Sequence, residues 1–176
     1  MRLPRFEDQV VVITGAARGI GFATAAQVVS EGAMAVINDG DPKAVADAVT
    51  RLQDAGGRVS GVAGDVSDLD QVRANVTEII GQHGRIDVLV NNAAINTFHD
   101  TATMPAEIWN RKLAGCLTGP FLWAPQVGVA AMIPARKGAL VNHGSVAALR
   151  GLSGSAACVE GKHGVVGMRK LLALAV

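Results

Sequence analysis

The 176-residue chain contains no tyrosine, and its only other aromatic residues are two tryptophans and four phenylalanines. It has two cysteines, Cys116 and Cys158, which lie too far apart in the sequence to suggest the disulfide framework of a small secreted domain. There is no basic patch with interleaved aromatics, and 16 basic against 15 acidic residues give a net charge of +1. These features give no support to a nucleic-acid partner. The cysteines, His143 and His163 show no metal-ligand spacing, so we predict no metal site.

The chain also has no apolar stretch of the signal-peptide kind between Met1 and Asp8. With so few cysteines, this predicts a cytoplasmic location. Residues 113–135 carry no charge and are long enough to span a bilayer. Because glycine, proline and glutamine interrupt this stretch, we interpret it as a helix buried at a packing interface, and we predict no membrane contact.

What the chain does contain is an alternation of apolar runs of strand length with segments of helix length. Its 49% hydrophobic content allows a substantial core in one domain, residues 1–176. Unbroken β-branched runs such as Val10–Thr14 fit strands buried on both faces. The predicted strands are 10–14, 33–39, 58–64, 86–91 and 139–142, and the predicted helices are 19–31, 42–55, 68–82, a long one from about 105 and a last one from about 155.

This alternation predicts an α/β, Rossmann-type, doubly wound parallel sheet of about five strands with helices on both faces. Right-handed crossovers favour the strand order 3-2-1-4-5. In that order the chain reverses direction across the sheet between strands one and four. A ligand is expected to bind in the crevice at that point.

The first strand runs into a glycine-rich turn that opens the first helix, Thr14-Gly-Ala-Ala-Arg-Gly-Ile-Gly21. Gly15 can make the tight turn, while Gly19 and Gly21 let a ligand and a neighbouring strand come close. The free amides of the helix start then face an anionic group. An ordinary turn is the weaker interpretation, since three glycines there cost helix stability. We therefore predict a dinucleotide site that includes Gly15, Arg18, Gly19, Ile20 and Gly21.

Asp39 ends the second strand, 18 residues after the last glycine of the turn. A carboxylate at this position can bind the adenosine ribose and repels a 2′-phosphate, which favours NAD over NADP. Arg18 argues mildly for NADP, because a guanidinium is a good phosphate ligand. The alternative interpretation of Asp39 is a solvated loop carboxylate beside Asp41.

Further motifs occur in order along the chain: Gly64-Asp65-Val66 after the third strand, Asn91-Asn-Ala-Ala94 after the fourth, Trp109–Phe121 in the fourth helix, Ser145 after the fifth strand, and Lys162. With this spacing the chain resembles the short-chain dehydrogenase/reductase family, whose TGxxxGIG and NNAG signatures match the glycine turn and residues 91–94. The resemblance implies NAD(P)-dependent hydride transfer between secondary alcohols and ketones. It also implies cofactor contacts from Asp65, Val66, Asn92 and Ala93.

The same resemblance implies a catalytic set. In the family a serine, here Ser145, polarises the substrate oxygen, and a tyrosine transfers the proton. A lysine, here Lys162, holds the nicotinamide ribose and lowers the tyrosine pKa. An asparagine on the fourth helix maintains a proton relay.

Two of these catalytic residues are replaced. The spacing from Ser145 and the spacing from Lys162 both put Cys158 at the tyrosine position, and Cys116 stands at the asparagine position. A thiol is much shorter than a phenol, so we expect slow turnover or none. The alternative is a catalytically inactive NAD-binding or dimerising module. The cysteines could also be reactive, with Lys162 lowering the Cys158 pKa, although small half-buried hydrophobes are the simpler interpretation.

Three further features depart from the family. Ala94 replaces the last glycine of NNAG, and Pro125 lies within the predicted fourth helix, where proline tends to kink. Family members continue for two more strands and a substrate-covering helix, so strand five should become an exposed edge. They usually dimerise through the fourth and fifth helices, which predicts a homo-oligomer. We interpret His143 as a tolerated core or edge histidine and His99 as a solvated loop residue.

Overall fold

The computed structural model describes residues 4–95 and 97–175; Met1–Leu3 of the N-terminal segment, Asn96 and Val176 lie outside the described residues. Its centre is one parallel five-stranded sheet, in the order β3-β2-β1-β4-β5. The strands are β1 Val10–Thr14, β2 Met34–Asp39, β3 Val59–Ala63, β4 Val88–Asn91 and β5 Ala139–Asn142. The predicted strand order and parallel pairing are confirmed.

Five long helices connect or follow these strands. They are α1 Gly19–Ser30, α2 Pro42–Asp54, α3 Leu69–His83, α4 Ala106–Ala135 and α5 Ala156–Ala175. The side chain of Asp41 caps α2 and that of Asp68 caps α3, each by accepting two backbone N–H groups at 2.9–3.2 Å. These caps fix where the two helices leave the carboxyl edge of the sheet.

Two apolar cores lie on opposite faces of the sheet because successive residues of a strand point to opposite sides. On one face Val11 and Ile13 of β1 pack with α1 and α2. On the other face Val10 and Val12 pack with α3 and with Trp123 of α4. This double burial explains why β1 is an unbroken apolar run.

Helix α4 is continuous from Ala106 to Ala135, although Pro125 lies inside it. Two wider π-helical turns occur in it, Ala114–Thr118 and Gly128–Met132. Each π turn ends just before a proline, Pro120 or Pro134, whose ring would otherwise collide with a carbonyl of the preceding turn. The widened turns thus accommodate Pro120 and Pro134, whereas Pro125 lies in the regular α-helical stretch between them and the helix continues through it.

In the part of the chain that the structure describes, α4 alone has the length and apolar composition of a membrane span, with a mean hydropathy of 1.3. However, Cys116, Trp123 and Val127 are fully buried against the sheet and α5. Glycines bring α5 close to α4: a Cβ at Gly164 would lie 2.9 Å from the Leu117 side chain. These contacts are those of a core helix, as the sequence predicts for this segment.

Strand β5 forms one edge of the sheet in this chain, as expected. Its Val141 side chain is 48% exposed, whereas the residues of β1 are buried throughout. A cavity of about 580 Å³ lies beside this edge, between the ends of α4 and α5. It contains none of the predicted site residues.

Candidate functional site

A cavity of about 650 Å³ opens at the carboxyl ends of β1, β2 and β4. This is the crevice between strands one and four where the predicted topology places a ligand. Eight of the predicted cofactor residues line it: Gly15, Arg18, Ile20, Asp39, Asp65, Val66, Asn92 and Ala93. Gly19 and Gly21 belong to the same turn, whereas Lys162 is not among the lining residues.

The glycine turn is shaped by the protein's own backbone. Gly15 has a φ of +62°, and a Cβ there would lie 2.6 Å from the Ala93 Cα. A Cβ at Gly21 would lie 2.5 Å from the Gly15 carbonyl oxygen and 2.6 Å from Asn92 Nδ2. Only at Gly19 is the space within 4 Å of a Cβ free of atoms. The structure thus groups the three glycines differently from the sequence analysis: Gly15 and Gly21 allow close packing within the protein, and only Gly19 faces open space.

The first turn of α1 presents free backbone N–H groups. Arg18 is the N-cap residue, and its side chain makes no capping hydrogen bond. The first amides of a helix have no partner within the helix, and the helix dipole adds positive potential there. An uncapped helix start beside an open cavity has the donors that a pyrophosphate requires. The residues present therefore fit a dinucleotide at this end of the cavity.

Asp39 lies at the carboxyl end of β2, and its carboxylate faces the glycine turn. Its Oδ2 accepts a hydrogen bond from the Ala17 backbone N–H at 3.3 Å. This contact holds the carboxylate over the crevice beside Arg18, which is exposed. The position suits a ribose-binding acid, and the adjacent Asp41 is committed to capping α2.

The turn after β3 is fixed by hydrogen bonds of Asp65 and by packing of Val66 against α4. The Asp65 carboxylate accepts from the Ser67 backbone N–H at 2.8 Å and from its hydroxyl at 2.7 Å. Val66 packs on α4, since a Cβ at Gly119 would lie 2.7 Å from Val66 Cγ2. The carboxylate of Asp65 therefore shapes its own turn, which leaves the backbone and Val66 as the groups facing the cavity.

Asn92 ties the end of β4 to the glycine turn. Its Nδ2 donates to the Thr14 and Gly15 carbonyl oxygens at 2.9 and 3.0 Å. Thr14 Oγ1 accepts the backbone N–H groups of Asn92 and Ala93, both at 3.1 Å. Ala94, which replaces the expected glycine, is exposed and lines the cavity without closing it.

The four predicted catalytic positions lie around the β5–α5 connection and α4, next to this cavity but outside its lining. Ser145 Oγ accepts the Ala147 N–H at 3.1 Å and so caps a short 3-10 turn. Lys162 is buried, and its Nζ donates to the His143 carbonyl oxygen at 2.6 Å. Since His143 is two residues before Ser145, this bond fixes the lysine to the strand end that carries the serine.

The two cysteines occupy the contact between α4 and α5. Cys116 is fully buried, and a Cβ at Gly161 would lie 3.1 Å from the Cys116 Cβ. Cys158 is half-buried near the Lys162 and Lys112 ammonium groups. Burial raises the Cys158 pKa, with a smaller contribution from Cys116, and the lysines lower it by less. Lys162 lowers this pKa as hypothesised, but desolvation outweighs the nearby charge, so the net direction favours the interpretation of Cys158 as a small half-buried hydrophobe.

Two polar residues make contacts that the sequence did not predict. Lys112 of α4 is only 2% exposed, and its Nζ donates to the Thr97 carbonyl oxygen in the loop after β4. His143, interpreted as a tolerated histidine, bonds through Nδ1 to Asn92 Oδ1 at 3.0 Å. The position of His143, two residues before Ser145, was the one sequence feature that could have indicated a role in the site. No sequence feature indicated that Lys112 is buried, because a lysine in an amphipathic helix is usually solvated.

His99 also differs from its predicted role as a solvated loop residue. Its backbone N–H donates to the Gly154 carbonyl oxygen at 3.0 Å, which joins the loop after β4 to the loop before α5. Its Nδ1 is buried without a hydrogen-bond partner among the described residues. No group of three or more potential metal-ligating side chains occurs within residues 4–95 and 97–175.

Comparison with known proteins agrees with this geometry. The short chain dehydrogenase family model matches residues 9–176. An uncharacterised oxidoreductase of Bacillus subtilis is 36% identical over 94% of this chain and 64% of its own length. The 3-oxoacyl-[acyl-carrier-protein] reductase of Thermotoga maritima is 36% identical over 94% of this chain and 67% of its own length. The chain thus spans about two thirds of the length of these curated relatives.

Solved structures give the same result for the fold. A metagenomic short-chain oxidoreductase in complex with NADP is 34% identical, with a TM-score of 0.90 over 97% of this chain and 77% of that one. An NAD+-bound xylitol dehydrogenase is 28% identical, with a TM-score of 0.92 over 97% of this chain and 66% of that one.

Proposed function

Since this chain belongs to the short-chain dehydrogenase family, whose members are oxidoreductases, we propose that it binds a nicotinamide dinucleotide in the 650 Å³ cavity. The observation that carries the proposal is the uncapped start of α1 at a glycine turn that is open at Gly19 and that binds the Asp39 carboxylate through the Ala17 N–H. The loss of the catalytic tyrosine leaves this end of the site intact. We place the protein in the cytoplasm, as its composition predicts.

The residues that would hold the cofactor divide by the type of contact. Backbone N–H groups at Gly19, Ile20 and Gly21 would bind the pyrophosphate. Asp39 would accept from the adenosine ribose hydroxyls, and Val66 would border the adenine. Asn92 and Ala93, which are hydrogen-bonded to Thr14, would form the cavity wall against the middle of the dinucleotide. Lys162 would need to leave the His143 carbonyl to reach a ribose, or to share its protons between the two.

Asp39 favours NAD over NADP. Its carboxylate is fixed on the turn by the Ala17 N–H, so a 2′-phosphate would meet a held negative charge. Arg18 lies on the same cavity and would offset part of this repulsion. Structures of related proteins contain both cofactors, so the preference rests on these two residues of this chain.

For the reaction itself, we propose slow interconversion of a secondary alcohol and a ketone. A bound nicotinamide would supply or accept the hydride. Ser145 would hold the substrate oxygen through its hydroxyl proton, since Oγ already accepts from Ala147. The proton-transfer position holds Cys158, whose raised pKa keeps the thiol protonated at neutral pH. A thiol ends several ångströms short of a phenolic oxygen, and general acid–base catalysis is typically worth about 10²–10⁴-fold.

A second candidate function is a nucleotide-binding module without turnover. The observation that favours it concerns Cys158 and Lys162, which lie four residues apart on α5. Cys158 lies near α4, and the Lys162 ammonium group donates to a backbone carbonyl oxygen, so both groups already have protein contacts.

We further propose that α4 and α5 form a homo-oligomer contact. Phe121, Val129 and Ile133 of α4 are 59%, 68% and 55% exposed, which is unusual for large apolar side chains on one helix.

Calorimetric titration of the chain with NAD and with NADP tests the binding proposal. We expect NAD to bind with the lower Kd. In Asp39→Ser the preference should move toward NADP by roughly tenfold, the effect of about 1.4 kcal/mol of lost repulsion. Asp47→Ser is the matched control, because Asp47 is exposed on α2 and pairs with Lys43. Absence of binding at millimolar NAD would remove the proposed function.

A turnover assay separates the two candidates. NADH absorbance would be followed with a panel of secondary alcohols, and we expect a very slow rate that Ser145→Ala abolishes. NAD binding without any Ser145-dependent turnover would favour the inactive module.

A further inference from the structure

His143 connects the two halves of the site through three hydrogen bonds. Its backbone N–H donates to the Asn91 carbonyl oxygen at 2.9 Å, which continues the pairing of β5 with β4. Its carbonyl oxygen accepts from Lys162 Nζ at 2.6 Å. Its ring Nδ1 lies 3.0 Å from Asn92 Oδ1. His143 thus contacts both Lys162, which lies among the predicted catalytic residues, and Asn92, which supports the glycine turn.

The hydrogen bonds around Asn92 determine the tautomer of this histidine. The Thr14 and Gly15 carbonyl oxygens can only accept, so the atom facing them must be the Asn92 NH₂ group. The Asn92 oxygen therefore faces His143, and this oxygen can only accept as well. The proton between the two side chains must consequently be on His143 Nδ1, and the neutral ring carries its lone pair on Nε2.

The Asn92 amide is also in contact with the first turn of α1. A Cβ at Gly21 would lie 2.6 Å from Asn92 Nδ2, which means that the amide group lies directly against this glycine. A rotation of the amide would move a group that supports the turn whose N–H donors face the cavity. The two bonds from Nδ2 to Thr14 and Gly15 oppose this rotation on one side of the amide. The hydrogen bond from His143 opposes it on the other side, where the oxygen has no other bond among the described residues.

We propose that His143 is a positioning residue that, as the Nδ1–H tautomer, locks the Asn92 amide beneath the glycine turn and joins it to the strand end that holds Lys162. Its effect on nucleotide affinity rests on the proposed function, since it acts on the site through Asn92. The side chain supplies one donor at a defined place, so a residue with a donor at the same place should replace it.

Three substitutions at this position test the donor directly. In His143→Asn the side-chain NH₂ replaces Nδ1–H, in His143→Gln the donor moves to the Nε2 position, and in His143→Leu there is none. We expect the Kd for NAD to rise in His143→Leu and His143→Gln by up to about fivefold, the limit reached if the whole free energy of one neutral hydrogen bond is coupled to binding. His143→Asn should remain within about twofold of the parent chain.

His163→Leu is the matched control, because His163 is exposed on α5 and its Nδ1 contacts only the Val159 carbonyl within its own helix. It should leave the Kd unchanged. Thermal unfolding of each variant shows whether it is folded. A general requirement for histidine at this position would destabilise His143→Asn and His143→Leu alike, whereas loss of the donor affects only His143→Leu. Equal Kd values in the Asn and Leu variants, or an unchanged Kd in the Leu variant, would overturn the proposal.

The tautomer can be read without any nucleotide. Long-range nitrogen–proton NMR correlations of the histidine rings, recorded where His143 is neutral, should show the proton on Nδ1. In His143→Leu the Asn92 side-chain amide resonances should shift, while in His163→Leu they should not. A proton found on Nε2 overturns the proposal even if NAD binds. If the parent chain binds no NAD but the Nδ1–H tautomer is observed, the proposed function fails and the lock on Asn92 is retained.

Discussion

The glycine turn and the β5–α5 connection differ in how they depend on side chains. At the glycine turn the groups offered to a ligand are backbone N–H donors of α1, held by contacts between Gly15, Gly21, Ala93 and Asn92. Around β5 and α5 the chemistry depends on the length and protonation of individual side chains. The first region has the geometry expected for the proposed cofactor site, whereas in the second Cys158 and Cys116 stand where longer polar groups are expected.

This difference shows that binding and proton transfer tolerate sequence change unequally. A backbone donor survives most substitutions as long as the turn keeps its shape. A proton donor must reach one atom, and a shortened side chain leaves a gap that the rest of the fold does not close. Burial also raises the pKa of Cys158, which makes its thiol a weaker acid for donating a proton to the substrate.

The largest expected effect comes from restoring the phenol in Cys158→Tyr. If the chemical region is limited by this one group, turnover of a secondary alcohol with NAD should rise by about 10²-fold or more. Cys158 is only half-buried, so a longer side chain at this position is not enclosed on all sides. NADH absorbance measures the rate, and thermal unfolding verifies that the variant is folded.

Cys116→Asn is the matched control for this gain, since it restores the relay position without the donor. Alone it should change turnover little, and Ser145→Ala should abolish the gain in Cys158→Tyr. A folded Cys158→Tyr variant that binds NAD but gains no activity would show that the β5–α5 region is impaired by more than the missing tyrosine.

The next effect concerns the glycine turn, in Gly21→Ala. The added methyl would lie within 2.8 Å of three protein atoms, on Gly15, Asn92 and Ala16, two of which belong to the backbone. Relief of such overlap usually costs about 1–3 kcal/mol of folding stability and displaces the turn, so Gly21→Ala should unfold at a lower temperature and bind NAD with a higher Kd. Calorimetric titration measures this change.

Gly81→Ala provides the comparison, because Gly81 lies in α3 with nothing within 4 Å of its Cβ position. It should bind NAD like the parent chain and gain up to about 1 kcal/mol in stability from better helix propensity. Unchanged NAD binding in Gly21→Ala would mean that the turn is not held by this contact.

Sequence patterns were sufficient for the sheet and the glycine turn. Apolar runs such as Val10–Thr14 are long and buried on both faces, and few right-handed topologies connect five such runs. The predicted ends were less accurate: β4 begins at Val88 and not at Ile86, although the Asp87 N–H still bonds to the Val10 carbonyl oxygen at 2.9 Å. Extended residues that flank a strand share its apolar pattern, so the pattern does not mark its end.

Contacts between distant side chains could not be predicted in the same way. The bond of His143 to Asn92 joins residues 51 positions apart, and it depends on how β4 and β5 end beside each other. Lys112 is buried because the loop after β4 folds over α4 and offers the Thr97 carbonyl. The direction of the Cys158 pKa also depended on burial, which the spacing to Lys162 did not reveal.

The smallest effect distinguishes burial from charge at Cys158. Because burial raises its pKa more than the lysines lower it, Cys158 should be alkylated more slowly at neutral pH than a free thiol, and the rate should rise with pH as the thiolate forms. Lys162→Met removes a nearby positive charge and should slow the reaction severalfold at fixed pH, whereas Lys43→Met on exposed α2 should not. Mass spectrometry of iodoacetamide adducts, with Cys116→Ala to isolate one thiol, measures these rates. Faster reaction than a free thiol would place Cys158 in a thiolate-stabilising site, and the proposed contrast between a region that binds cofactor and a region impaired in proton transfer would no longer hold.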